Sequence, residues 1–188
     1  MRIQLSPARL IGRVPAIPSK SYLHRAMICA ALSDGPCRIG GRVDSQDVEA
    51  TARALRALGC SVESEPRGYL QNPGPAPERA EVFCGESGST LRFLTPVAAA
   101  LGVNALFTSA GRLPERPMEP VLSLLEANGV KVRRAGGGYL PFSLCGRLKA
   151  GEYTLPGDVS SQFVTGLLLA LPLCDGHSSV RVLPPFES

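Results

Sequence analysis

Hydrophobic positions along this chain change their spacing in a way that repeats. Over residues 47–62, DVEATARALRALGCSV, apolar side chains fall on one helical face, stop at Gly59, and give way to a short alternating run. Residues 119–132, EPVLSLLEANGVKV, follow the same plan with Gly129 in the stopping position. A glycine just past the last periodic residue ends a helix because it takes the left-handed conformation at little steric cost. Gly59 and Gly129 stand 70 residues apart, so the two segments read as copies of one unit.

A second set of segments recurs at nearly that interval. SKSYLHRAMICAAL, SGSTLRFLTPVAAAL and VSSQFVTGLLLALPL each place serines directly before a helix that is apolar almost all round. Ser21 and Ser89 are 68 residues apart, and Ser89 and Ser161 are 72 apart. Helices of that kind need protein on every side, so they are expected inside, with sheets outside. Alternating runs predict strands over 37–39, 61–65, 81–84, 105–108, 131–134 and 178–183. Each unit then runs strand, apolar helix, strand, amphipathic helix, strand, and the chain holds two full units and the opening of a third. The fold class is α/β. Two turn-rich stretches, 66–77 (PRGYLQNPGPAP) and 134–138 (RAGGG), occupy the same point in the period and read as turns between neighbouring strands.

Composition narrows the function. With 188 residues, 44% of them hydrophobic, the chain can bury a sizeable core. The net charge of +4 is scattered, and aromatics are 5% with no Trp, which favours small anionic ligands over nucleic acid. Six cysteines, with no Cys-x-x-Cys pair and no histidine at zinc-finger spacing, point to reduced thiols in a cytoplasmic protein and to no metal or cofactor. The N-terminus has no continuous apolar stretch of the secretory kind. The longest apolar run, 163–174, is shorter than the roughly 20 residues a membrane-spanning helix needs and contains Pro172, so a buried helix is expected there.

The chemistry gathers at the three helix starts. A serine there is by itself an ordinary N-cap, worth about 1 kcal/mol. Three such starts at equivalent positions, if their helices run together, bring unpaired N–H groups and partial positive charge to one place, which suits an anion. Lys20 adds an ammonium, and Arg25 follows Ser21 by four residues on the same helix face. Gly88 lets backbone approach a ligand at the second start, and Gln162 adds an amide beside Ser160 and Ser161 at the third. Arg92 suits either a ligand or a structural carboxylate. In the loop GRLPERP, 111–117, Arg112 is the candidate for gripping an oxyanion, while Arg116 reads as an ion-pairing or loop-fixing residue. His24 and His177 form no nucleophile or metal constellation and read as satisfied or solvated. No dinucleotide or P-loop glycine pattern is present, and GESGST, 85–90, lacks the Gly-x-Ser-x-Gly arrangement of a nucleophile elbow.

Taken together, PSKSYLHRA, GESGSTLRFLTP, GRLPERPMEPVLSLLEANG and GDVSSQFVTGLLLALP resemble, in order and spacing, the N-terminal lobe of the 3-phosphoshikimate 1-carboxyvinyltransferase (EPSP synthase) family. The resemblance implies a two-lobed fold, each lobe built from three βαβαββ units with parallel helices buried inside. It implies a lobe over 15–188, with repeats near 15–80, 81–150 and 151–188, and a first strand or hinge over 1–14 that belongs with a second lobe. It implies transfer of the enolpyruvyl group of phosphoenolpyruvate to the 5-hydroxyl of shikimate 3-phosphate, without a cofactor. Lys20 and Arg112 match phosphoenolpyruvate contacts, and Gly88 matches the glycine beside that substrate, where the inhibitor glyphosate also sits. Ser21, Arg25, Ser160 and Ser161 match ligands of shikimate 3-phosphate, Gln162 lies near both substrates, and Ser188 aligns with another substrate serine. Glu86 and Ser87 stand where many members carry Asn-Ala, and Ser89 where many carry Thr. Family members are more than twice this length, and their proton-moving carboxylates fall in the other half, so the chain alone is expected to be inactive. UDP-N-acetylglucosamine enolpyruvyltransferases share the fold but typically show Lys-Asn in place of Lys20-Ser21 and a cysteine in the loop that here reads AGRLPERP. A non-catalytic anion-binding remnant is the reading from another class.

Overall fold

The computed structural model describes residues 3, 4, 6, 7, 9 and 11–186; Ser188 lies outside them, as do parts of 1–14. The first unit consists of α1 (Lys20–Ala31), β1 (Cys37–Gly40), α2 (Gln46–Ala57), β2 (Ser61–Glu65) and β3 (Gly68–Asn72). The second consists of β4 (Arg79–Phe83), α3 (Gly88–Leu101), β5 (Asn104–Thr108), α4 (Glu119–Ala127), β6 (Lys131–Arg134) and β7 (Phe142–Cys145). A third opens with β8 (Glu152–Pro156), α5 (Ser161–Ala170) and β9 (Ser179–Leu183).

Strand pairing repeats with the sequence. β1 and β2 both pair antiparallel with β3, which lies between them. β5 and β6 do the same with β7, and β4 adds parallel to β5. β8 and β9 are parallel, as β4 and β5 are. No described residue before Lys20 forms a strand, so the first unit shows no counterpart of β4 among the described residues.

Three of these strands escape the sequence reading. β3 runs through the stretch read as a turn, where only Pro66 and Arg67 turn the chain. Gly68 is forced by the close approach of β1, since a Cβ there would meet the Ile39 carbonyl oxygen at 1.9 Å. Tyr69 and Gln71 point inward and are buried. β7 and β8 also went unpredicted; each is only four or five residues long, flanked by proline or glycine, and gains its identity from the strand beside it.

The core lies between the sheets and around α3. Val62 and Tyr69 face it from the first sheet, Val82, Ala105, Phe107, Phe142 and Leu144 from the second, and Tyr153 and Leu155 from the third. The rings of Phe107 and Phe142 stack at 5.1 Å. Each amphipathic helix bridges to the opening strand of the next unit, α2 onto β4 and α4 onto β8. α3 packs against α1, α2, α4 and α5 and is buried nearly all round. The expectation that all three apolar helices are enclosed holds only for α3: Tyr22 on α1 is 79% exposed and Leu168 on α5 is 60% exposed. No described helix is long and apolar enough to cross a membrane.

Candidate functional site

The three helix starts share one rim. Each is capped by a serine: Ser19 accepts from the N–H of Tyr22, Ser87 from that of Thr90, and Ser160 from that of Gln162. The bland reading of these serines is therefore correct for one in each cluster. The residues just inside the caps reach across to the neighbouring helices.

Gln162 joins α5 to α3. Its Nε2 donates to Ser89 Oγ at 2.9 Å, and its Oε1 accepts from Arg92 Nη1 at 2.9 Å. Arg25 joins α1 to both: its Nη1 donates to the Ser21 carbonyl at 2.9 Å and its Nη2 to Thr165 Oγ1 at 3.4 Å. Its guanidinium lies 5.2 Å from the ring centre of Phe93. Lys20 Nζ meets Asp47 Oδ2 of α2 at 2.6 Å, an ion pair that remains half exposed.

Beneath this rim runs a buried polar chain. His24 Nδ1 and Thr51 Oγ1 are 2.7 Å apart, Thr51 and Thr90 share a 2.7 Å hydroxyl contact, and Thr90 donates to Ser87 Oγ at 2.8 Å or to the Asp47 carbonyl at 3.4 Å. It ties α1, α2 and α3 together just below Lys20 and the α3 cap. The expected satisfied or solvated histidine is half satisfied, because His24 is fully buried and its Nε2 has no hydrogen-bond partner among the described residues. Burial holds its pKa down to about 4, with Lys20 and Arg25 pushing the same way and Asp47 opposing, so the ring is neutral at neutral pH.

The close approach of α3 and α5 has a local cause. Pro96, inside α3, cannot donate to the Arg92 carbonyl one turn earlier, so that oxygen loses its intrahelical partner. α5 closes on it at Gly166, where a Cβ would stand 2.4 Å from the same oxygen. This fit puts Gln162 against Ser89 and Arg92.

The loop after β5 behaves differently from the sequence reading. Arg112 pairs with Glu115 at 3.2 Å and is largely exposed, while its backbone N–H donates to Glu86 Oε1 at 3.1 Å. Arg116 has no ion pair among the described residues and reaches toward Gly88. A cavity of about 400 Å³ beside the third start is lined by Ser160, Ser161 and Thr165, and one of about 590 Å³ beside the second by Glu86, Gly111 and Arg53. Of the sequence candidates, Lys20, Ser21, Arg25, Gly88, Ser160, Ser161 and Gln162 lie at the helix starts and Arg112 stands at the edge. Asp47, Thr51, Thr90 and Thr165 went unread: Asp47 looks like any charge in the first turn of an amphipathic helix, and single threonines among apolar neighbours give no signal until the helices are placed side by side. All six cysteines are free thiols, and burial pushes that of Cys84 up to about 12.

Comparison with known proteins agrees with this architecture. A 3-phosphoshikimate 1-carboxyvinyltransferase of Clostridium kluyveri is 42% identical over 188 residues, covering 99% of this chain and 44% of its own length. One from Methanoculleus marisnigri is 41% identical over 167 residues, covering 86% of this chain and 39% of its own. The solved EPSP synthase of Acinetobacter baumannii superposes with a TM-score of 0.81 at 29% identity, covering 94% of this chain and 41% of that one. The chain thus spans less than half the length of the relatives it matches. Its residues 5–184 match the family described as EPSP synthase (3-phosphoshikimate 1-carboxyvinyltransferase), and the chain belongs to that family.

Proposed function

We propose that this chain supplies part of the substrate cleft of an enolpyruvyl transferase that joins phosphoenolpyruvate to the 5-hydroxyl of shikimate 3-phosphate. The observation that carries the reading is the meeting of Arg25, Arg92, Gln162 and Lys20 where three capped helices begin. Two polyanionic substrates need that density of donors, and helix starts supply it from rigid elements. Arg25, Ser21, Ser160, Ser161 and Gln162 hold shikimate 3-phosphate, and Lys20, Gly88 and Arg112 receive phosphoenolpyruvate. Ser188, outside the described residues, is assigned to the same shikimate site. Residues 15–188 form one lobe with repeats near 15–80, 81–150 and 151–188, and 1–14 go with a second lobe. The reaction runs in the cytoplasm and needs no cofactor.

The transfer requires a proton at the enol methylene, attack of the hydroxyl at the adjacent carbon with loss of its own proton, and expulsion of phosphate from the tetrahedral intermediate as a methyl proton leaves. The cations of this chain contribute by holding two like-charged reactants in contact, which removes entropic and electrostatic cost. Proton transfer is assigned to carboxylates beyond this chain, so the 188 residues alone are expected to give no steady turnover; sustained product formation by them would contradict that.

Calorimetric titration of shikimate 3-phosphate tests the site. Arg25→Ala and Gln162→Ala should each weaken binding by about tenfold or more, the usual consequence of removing a charged or bidentate contact. Wild-type affinity in both variants would overturn the assignment.

A further inference from the structure

We infer that the pole of this lobe opposite the helix starts holds a second binding site, an apolar cavity that takes one uncharged ring or short hydrocarbon of about six to eight heavy atoms. The site stands apart from the substrate cleft, because it lies at the other ends of the same helices. α1 and α3 begin at the rim, α2 begins beside Lys20 with Asp47, and all three finish here. Leu32 and Leu58 are the C-caps of α1 and α2, Leu101 is the last residue of α3, and each lines the cavity. Leu55, Val97 and Leu173 complete a wall that encloses about 190 Å³. The 12 residues of α1 place it about 18 Å from Lys20.

The space exists because of the loop that closes it. After β3 the chain runs through PGPAP, 73–77, and its backbone is clamped onto the turn that ends α2. A Cβ on Gly74 would stand 2.2 Å from the Gly59 carbonyl oxygen, and one on Gly59 would stand 2.3 Å from the Pro75 carbonyl oxygen. Pro73, Gly74 and Ala76 line the mouth, and none has a side chain long enough to fill the hollow between the helix ends. The prolines fix φ along this roof, so the cavity is formed before any ligand arrives.

Its walls select the ligand. None of the described residues that line it is charged, and three helix C-termini bring partial negative charge, so phosphates and carboxylates suited to the helix starts are disfavoured here. The two polar side chains in the wall are already engaged. Ser33 Oγ donates to the carbonyl of Ala30 at 2.8 Å or of Gly35 at 2.9 Å, and Cys60 Sγ donates to that of Ser61 at 3.3 Å while accepting from Gln71 Nε2 at 3.6 Å. Water settles in a cavity that offers about two to four polar partners, whereas a void of about 150 Å³ lined by aliphatic side chains takes benzene. An apolar guest supplies the dispersion contacts that these leucines and Val97 lack on their open side.

The test titrates toluene and benzoate, a ring without and a ring with a carboxylate, into the chain by ligand-detected NMR, with circular dichroism to confirm folding. Toluene should bind saturably with a Kd of about 1 mM or below, and benzoate about tenfold or more weakly. At about ten times its Kd, toluene should raise Tm by about 3–6 °C. Ala31→Leu extends a side chain into the void from the last turn of α1; it should lose about tenfold or more in toluene affinity and melt higher than wild type without ligand. Cys60→Met fills the same space from the β2 side and should lose toluene affinity likewise, which keeps the question open to measurement if the leucine variant fails to fold. Leu168→Ala, on the exposed face of α5, should bind within about twofold of wild type. The proposal fails if folded wild type shows no saturable binding up to the solubility limit of toluene, if benzoate binds as tightly as toluene, or if Ala31→Leu and Cys60→Met both keep wild-type toluene affinity. Displacement of toluene by shikimate 3-phosphate or phosphoenolpyruvate would put the ring in the cleft and overturn the second site, while leaving the proposed reaction standing.

Discussion

The helices α3 and α5 carry nearly the same pattern, a serine cap followed by an almost unbroken apolar run, and they meet different fates. Eleven of the 14 residues of α3 are buried, against four of the 10 in α5. The cause is their neighbours: α3 has packed helices on several sides, while α5 packs chiefly against α3 and leaves Leu168 facing out. Apolar periodicity fixes that a helix wants cover; the number of elements laid against it decides how much it obtains. The two sides of α3 differ as well. Toward α5 the contact is a backbone approach at Gly166, and toward α1 and α2 it is the polar chain from His24 to Ser87.

The largest test of this asymmetry is Phe93→Ala. The ring is 1% exposed and supports Arg25, so its loss should cost about 3–5 kcal/mol in urea unfolding and weaken shikimate 3-phosphate binding as well. Second comes the polar side. His24 has its pKa lowered from 6.5 to about 4 in the fold, so its neutral state adds stability that is complete above pH 6.5 and is lost as pH falls through 4. That loss approaches roughly 3 kcal/mol, and the unfolding free energy of His24→Gln should change less between pH 7 and 4 than that of wild type. An unchanged slope in the variant would remove His24 from the account.

The α5 side is probed by Gly166→Ala. Helix propensity alone favours alanine by about 1 kcal/mol, but the new Cβ would sit 2.4 Å from the Arg92 carbonyl oxygen and 2.9 Å from Pro96 Cγ. A net destabilisation of about 1–3 kcal/mol is expected, with weaker shikimate 3-phosphate binding as Gln162 shifts from Ser89. A stabilised variant would show that the helices are not held at backbone contact. The smallest effect belongs to Leu168→Ala, within about 0.5 kcal/mol of wild type, since the side chain is 60% exposed. A loss comparable to that of Phe93→Ala would mean that α5 is covered in solution.

Much of the site could be read from the chain because its residues sit next to strong local signals. Lys20, Ser21 and Arg25 flank a capped helix start, and Gly88 and Gln162 occupy the matching places one and two periods later. Asp47, Thr51 and Thr90 could not be read that way, since Asp47 is an ordinary charge in the first turn of α2, Thr51 and Thr90 are single hydroxyls among apolar neighbours, and each finds its partner 27 to 43 residues away. Arg112 and Arg116 show the limit most clearly. They share a seven-residue motif, and only the direction of a turn sends one outward to Glu115 and the other toward Gly88.

By itself the sequence determined the repeating α/β unit, the capped helix starts, and the glycines at 59 and 129 that end the amphipathic helices with φ of +101° and +95°. These follow from local propensity and period, which neighbouring residues impose on each other. Tertiary structure decided which apolar helix is enclosed, where β3, β7 and β8 form, and which guanidiniums face the cleft. Those outcomes depend on surfaces brought together from distant parts of the chain, and on the cost of leaving a carbonyl, a hydroxyl or a charge without a partner once they meet.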